Sequence, residues 1–289
     1  MGLWGTLTFF VVHNQRMKRV GMTQGIHKRI AAGWRLIMAG VLLQAGAACA
    51  QPAPGGSDAT LLEMREAYRR NNTAQLATLL PQTRGHALEP LAMYWAMRPR
   101  LETASPIEIR AALDRMAGTY WEDRLRNDWM LVLGKARNWV DFEAELPRFR
   151  MQDDRQVRCY ALMLDAAAGR ITAEAAADQV QANWLAQREA EDGCATAAQS
   201  LLASGHLKGE AVWQRARLAM DSNRPRVASQ AVALLDVERA AAIDQIASDP
   251  AKYLDEKIIA IRPRTKELVT LAIVRLAAVD PAAAAVEAD

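Results

Sequence analysis

From residue 58 onward the apolar side chains recur at helical spacing. No stretch shows the period-two alternation, bounded by turn residues, that a β-strand needs. That regularity restricts the chain to packed helices. Trp121, Leu125, Trp129, Val132 and Leu133 share one helix face, as do Val157, Tyr160, Ala161 and Leu164. The pattern returns in Val212, Ala216, Ala219 and Met220, in Ala228, Ala231, Val232 and Leu235, and in Val269, Ala272, Ile273 and Leu276.

The punctuation between these runs is helical too. Ser105-Pro106-Ile107-Glu108 reads as a capping box with proline at the first helical position. Asp249-Pro250 and Asp280-Pro281 repeat the cap-then-proline chemistry, and Thr172-Ala173-Glu174 opens a further helix with an early acid. Gly85, Gly118, Gly134, Gly169 and Gly205 read as stops. Each helix exposes one apolar face that a single partner cannot cover, so neighbours must stack. The expected fold is therefore all-α, a right-handed superhelix (solenoid) of antiparallel helical hairpins resembling tetratricopeptide repeats. No strict repeat of roughly 34 residues can be aligned.

We expect this array to occupy 58–289 and to be cut short at its C-terminal end, because the helix opened by Asp280-Pro281 meets the chain end at Asp289. Before it, Gln51-Pro-Ala-Pro-Gly-Gly-Ser57 reads as a flexible joint over 51–57. Residues 1–50 read as a leader. His27-Lys28-Arg29 and Arg35 form a cationic start, Leu36 to Leu43 an apolar run, and Ala48-Cys49-Ala50 a small-residue end. That is the order of a signal peptide over 22–50, cleaved after Ala50. Residues 1–21 read as an upstream extension, with Met22 or Met17 the more natural start. A lipid-anchored Cys49 is the other reading, against which stands Gly46, where a large aliphatic residue is usual. The apolar run is shorter than the roughly 20 residues of a membrane span, so no stable span is expected after cleavage.

The leader also explains the charge. The chain carries 36 basic and 33 acidic side chains. Arg16, Lys18, Arg19, Lys28, Arg29 and Arg35 all fall within the first fifty residues and no acid does, so the remainder is slightly acidic. The pI of 8.8 reports the leader, and no nucleic-acid partner is expected. After cleavage two cysteines remain, Cys159 and Cys194. In an oxidising compartment they are expected to pair, two buried free thiols being the alternative.

Signs of catalysis are weak. His86 and His206 have no metal-ligand spacing, and there is no phosphate-cradling glycine loop and no nucleophile beside a base. Neither a metal nor a cofactor is expected. Glu63, Glu66, Glu89, Glu102, Glu108, Asp114, Glu122, Asp123, Asp153 and Asp154 fall at caps or on polar faces and read as solvated surface. Trp121, Trp129, Trp139, Trp184 and Trp213 read as core. The exception is Tyr94 and Trp95, beside Arg98 and Arg100, which read as the candidates for carbohydrate contact.

Leu88 to Leu101, Ser105 to Arg110, Gly118 to Lys135, Trp139 to Phe142 and Asp153 to Tyr160 together resemble the N-terminal superhelical region of soluble lytic murein transglycosylases of β-proteobacterial type. The likeness runs in order from about Ala59 to Arg170 and loosens through Trp213 to Leu218 and Arg264 to Leu276. It implies the helical scaffold of a periplasmic enzyme that cleaves peptidoglycan glycan strands, the alternative being a stand-alone periplasmic scaffold that binds peptidoglycan or an envelope protein. It also implies a concave basic surface near Arg98, Arg100, Arg124 and Arg126 that guides glycan or a protein partner. In that family a C-terminal lysozyme-like domain carries the catalytic glutamate, followed by serine. No Glu-Ser pair occurs here, so no residue of this chain inherits the catalytic role.

Overall fold

The computed structural model describes residues 56–257 and 265–288; the expected leader, its expected cleavage site and most of the expected joint lie outside the described residues. Among those described the chain is all-α, with fifteen α-helices and no strand. In order they are α1 (Asp58–Arg69), α2 (Thr73–Leu79), α3 (Glu89–Met97), α4 (Pro106–Arg115) and α5 (Tyr120–Lys135). Next come α6 (Trp139–Glu145), α7 (Arg155–Ala167), α8 (Ala173–Ala186), α9 (Asp192–Ala203) and α10 (Gly209–Asp221). The last are α11 (Pro225–Ala233), α12 (Val237–Ser248), α13 (Pro250–Lys257), α14 (Lys266–Val279) and α15 (Pro281–Ala288). No described helix is long and apolar enough to cross a membrane.

The helices begin where short polar side chains replace the missing intrahelical acceptors. Ser105 Oγ accepts from the Glu108 amide while the Glu108 carboxylate accepts from the Ser105 amide, a complete capping box. Thr172, Asp249 and Asp280 cap α8, α13 and α15 with a side-chain oxygen that accepts from a first-turn amide. Within the expected joint, Gly56 donates to the Arg84 carbonyl at 3.3 Å and Ser57 caps α1, so both belong to the folded unit.

The stops share one geometry. At the ends of α1, α5, α7, α9 and α10 a residue with positive φ turns the chain, and the amide after it bonds five residues back. The pairs are Asn72 to Ala67, Asn138 to Leu133, Arg170 to Asp165, His206 to Leu201 and Arg224 to Ala219. Glycine supplies the turn at 169 and 205, but Asn71, Arg137 and Asn223 supply it elsewhere. Gly134 is not a stop. It lies inside α5, where a Cβ would sit 2.6 Å from Cδ2 of Tyr160, so it lets α7 lie against α5. The repeat that sequence spacing hid is visible here as geometry. Asn71-Asn72, the seven-residue α2 and Leu80-Pro81 match Arg137-Asn138, the seven-residue α6 and Leu146-Pro147.

Packing is serial at first. α1 packs on α3, α3 on α5, α5 on α7 and α7 on α9, with α2, α4, α6 and α8 completing the hairpins. The core is correspondingly divided into clusters along this ladder rather than gathered into one. Cys159 on α7 and Cys194 on α9 are joined by a disulfide with the Cα atoms 4.9 Å apart. From α10 the pattern changes, because α14 packs back on α10 and α12 and closes a bundle around a fourth cluster.

Candidate functional site

In the expected basic surface Arg98, Arg100 and Arg124 stay partly exposed, but each faces a carboxylate. Tyr94 is buried, and its hydroxyl donates to Asp128 Oδ2 at 2.8 Å. Arg98 Nε donates to the same oxygen at 2.9 Å, and Arg124 lies 3.6 Å from the other. Burial, then the Asp128 carboxylate, hold the Tyr94 phenol well above its ordinary pKa. Arg100 pairs with Glu108 at 3.1 Å, and half-buried Trp95 stacks on Tyr68.

Arg126 leaves the surface altogether. Only 4% exposed, it is held between Glu122 and Glu145, and Glu145 (1% exposed) also accepts from Arg110 Nε at 3.1 Å. The polar face of α5 is covered by α6, whose acids meet it, so arginine spacing that suits solvent also suits this seam. Asp123 is a second correction. Expected as solvated surface, it is 1% exposed and accepts from the amides of Arg150 and Met151 at 3.0 and 2.7 Å, pinning the segment between α6 and α7. His86 and His206 pair with Asp58 and Glu174. Among the described residues no group of His, Cys, Asp or Glu is placed to hold a metal.

A different place gathers unpaired charge. α8 ends at Ala186, because Gln187 turns extended, and the segment 187–191 crosses α10 and the start of α11. Its carbonyls are held from below. Arg215 donates to the Gln187 and Glu189 oxygens, Arg224 to that of Arg188 at 3.2 Å, and Gln230 to that of Glu191 at 3.3 Å. Arg215 is 3% exposed and lies 5.7 Å from the centre of the Trp184 ring. It forms no ion pair among the described residues, its Nε lacks a hydrogen-bond partner, and burial pushes the guanidinium down to about 10, still charged at neutral pH.

Beside it opens a cleft of about 320 Å³ lined by Gln187, Arg188, Arg215, Leu218, Ser222 and Arg224, with no carboxylate in its wall. Arg188 also lines an adjoining cleft with Asp153, Asp154, Glu189 and Glu191, and Arg224 is tied to the Arg188 carbonyl. Gln187 is 6% exposed, and both its amide atoms lack partners, as does Trp184 Nε1. Unpaired buried polar atoms are uncommon, and here four of them come from three neighbouring residues, Trp184, Gln187 and Arg215. Glu191, at the end of the segment, is the opposite charge that Arg215 feels, yet its carboxyl is pushed up by burial and then by Asp154. Sequence reasoning missed this site. The one local signal is Arg215 itself, which interrupts the apolar face of Val212, Ala216 and Ala219.

No protein-family model matches the chain, and no curated protein matches it. Among solved structures it is similar to the 70 kDa soluble lytic transglycosylase Slt70 from Escherichia coli, with a TM-score of 0.50 and 16% identity over 79% of this chain and 37% of that one. An inactive mutant of the lytic transglycosylase Slt from Pseudomonas aeruginosa aligns with a TM-score of 0.48 and 21% identity, over 80% of this chain and 38% of that one. This chain thus spans well under half the length of either. At such identities the likeness to Slt70 is one of fold: a serial all-α array.

Proposed function

We propose that this chain is the helical scaffold of an exported lytic transglycosylase, a peptidoglycan-cleaving enzyme whose catalytic domain lies outside these 289 residues. The observation that supports it is the Slt70-like helical array, covering 79% of this chain but 37% of that protein. The ordered resemblance from Leu88 to Tyr160 points the same way. In this reading the leader directs the chain to the periplasm and is removed after Ala50, and the array positions a cutting head on glycan strands. Fold alone does not fix function, so the reading stands on its test.

The test is direct. Purified chain incubated with peptidoglycan sacculi is expected to release no anhydromuropeptides, while co-sedimenting with the sacculi. Release of that product by rigorously purified protein would move catalysis into this chain and overturn the assignment. Failure to co-sediment would leave the array as a scaffold for an envelope protein instead.

A further inference from the structure

We infer that the 187–191 segment is a pH-sensitive strap, seated against the ladder when Glu191 is protonated and loosened when Glu191 is charged. The inference goes beyond the scaffold role and does not depend on it.

The strap is fastened unevenly. The side chains that donate to its carbonyls, Arg215, Arg224 and Gln230, come from α10, α11 and the turn between them. The residues that follow belong to the ladder. Asp192 is held by Arg137 and Tyr160, the Gly193 amide donates to Gln156 Oε1 at 3.2 Å, and Cys194 is bonded to Cys159. Gly193 lies so close to α7 that a Cβ would sit 2.6 Å from the Gln156 Cβ. Glu191 is where the chain passes from one region's hold to the other's.

At that point like charges meet. Glu189 and Glu191 share a cleft of about 480 Å³ with Asp153 and Asp154, at the start of α7. Asp154 cannot turn away, because its Oδ1 caps α7 through the Gln156 and Val157 amides and its Oδ2 accepts from Asn127 at 3.2 Å. The nearby cations are Arg155 on α7, Arg188 on the strap and Arg215 on α10, with Arg224 and Arg226 beside Glu189. Arg215 commits its terminal nitrogens to the strap's carbonyls, and among the described residues no side chain donates to the Glu191 carboxylate. Burial and then Asp154 outweigh Arg215 and push the Glu191 carboxyl up, while its neighbour Asp192 is held low. A raised carboxyl takes its proton before an exposed glutamate would, at about 4.3. Seating therefore strengthens as pH falls through the raised value and is complete below the exposed one, whereas at neutral pH the Glu191 charge opposes it.

The experiment is tryptic cleavage of the intact, oxidised chain after Arg188 at neutral pH, each rate divided by that of the same bond in the denatured chain. Arg188 is exposed and its carbonyl is tied to Arg224, so the rate follows the loosened population. Glu191→Gln should be cut about fivefold more slowly than the wild type, the scale of one partly screened like-charge contact. Asp154→Asn, which keeps a capping oxygen, should slow the cut by a similar factor. Arg224→Ala, which removes a fastening, should speed it. A second readout follows the proton. In the fluorotryptophan-labelled chain the Trp184 resonance, assigned with Trp184→Phe, should shift in one step above the ordinary glutamate range, and Glu191→Gln should abolish that step. Cleavage of Glu191→Gln at the wild-type rate or faster, no change in Asp154→Asn, no acceleration in Arg224→Ala, or a Trp184 resonance that lacks the step or keeps it in Glu191→Gln would each overturn the proposal.

Discussion

The ladder of α1–α9 and the bundle of α10–α15 solve the same packing problem differently. In the ladder each helix packs chiefly on its near neighbours, with α5 also reaching α9, so the seams are short. Those seams carry directional ties. Asp128 gathers Tyr94, Arg98 and Arg124 where α3 meets α5. Glu145 holds Arg126 and Arg110 where α6 meets α5 and α4. Arg137 spans to Asp192 and Thr196, and Tyr160 donates to the same Asp192, uniting α5, α7 and α9. In the bundle, α14 returns to α10 and α12 and encloses a larger apolar cluster of Ala, Val, Ile and Leu. Its helices are crossed by few charges, chiefly Arg217 between Glu210 and Glu267. A closed core needs little else; an open ladder depends on specified partners.

The sharpest way to break this contrast is to remove one of those partners. Glu145→Ala removes one of the two carboxylates that hold buried Arg126 and one of the two that hold Arg110, and should cost about 3–5 kcal/mol. Hydrogen exchange should show the loss in α4–α6 and leave α11–α14 protected. A uniform loss across both regions would mean that the ladder and bundle unfold as one unit.

Next is the tie between α7 and α9. Replacing Cys159 and Cys194 by alanine opens a loop with a sequence separation of 35 and should cost about 3–4 kcal/mol by the chain-entropy estimate. Urea unfolding with and without reductant measures it, and the mutant should no longer respond to reductant.

Smaller effects distinguish glycines of the two regions. Gly134→Ala forces a methyl group into the Tyr160 ring and should destabilise by about 1–3 kcal/mol. Gly209→Ala, at the start of α10, meets Leu235 at an ordinary 3.6 Å and should stabilise by about 0.5–1 kcal/mol. Thermal melts of the two variants should move in opposite directions.

The smallest effect is with pH. Burial alone would raise the Asp192 carboxyl, but Arg137 and Tyr160 outweigh it and hold it below the usual aspartate range. A depressed folded pKa adds stability that is complete above the unfolded value, about 3.9, and fades as pH falls through the folded one. The α5–α7–α9 seam should therefore loosen in acid, with Asp192→Asn flattening the dependence. Because Asp192 is 42% exposed, solvent keeps the effect modest.

Much of the fold was legible because its causes are local. Ser105, Thr172, Asp249 and Asp280 cap helices through amides two or three residues away, and Gly85, Gly118, Gly169 and Gly205 take the positive φ expected of stops. Asn71, Arg137 and Asn223 were missed as stops because residues other than glycine adopt that conformation only at a cost. Arg137 keeps it while its guanidinium holds Asp192, a tie invisible in the local sequence. Arg126 and Asp123 were misplaced for a related reason: polar spacing on a helix does not say whether water or another helix faces it.

By itself, then, the sequence determined that the chain is helical and where most helices begin, since the caps and the i to i−4 bonds act within one turn. Tertiary structure alone decided which charges are buried and which stay unpaired. Arg126 finds Glu145 across 19 residues, Arg137 finds Asp192 across 55, and Arg188, Arg215 and Arg224 converge on one cleft from separate elements. Such pairings depend on which faces the stacking brings together, and a helix face carries no record of its partner.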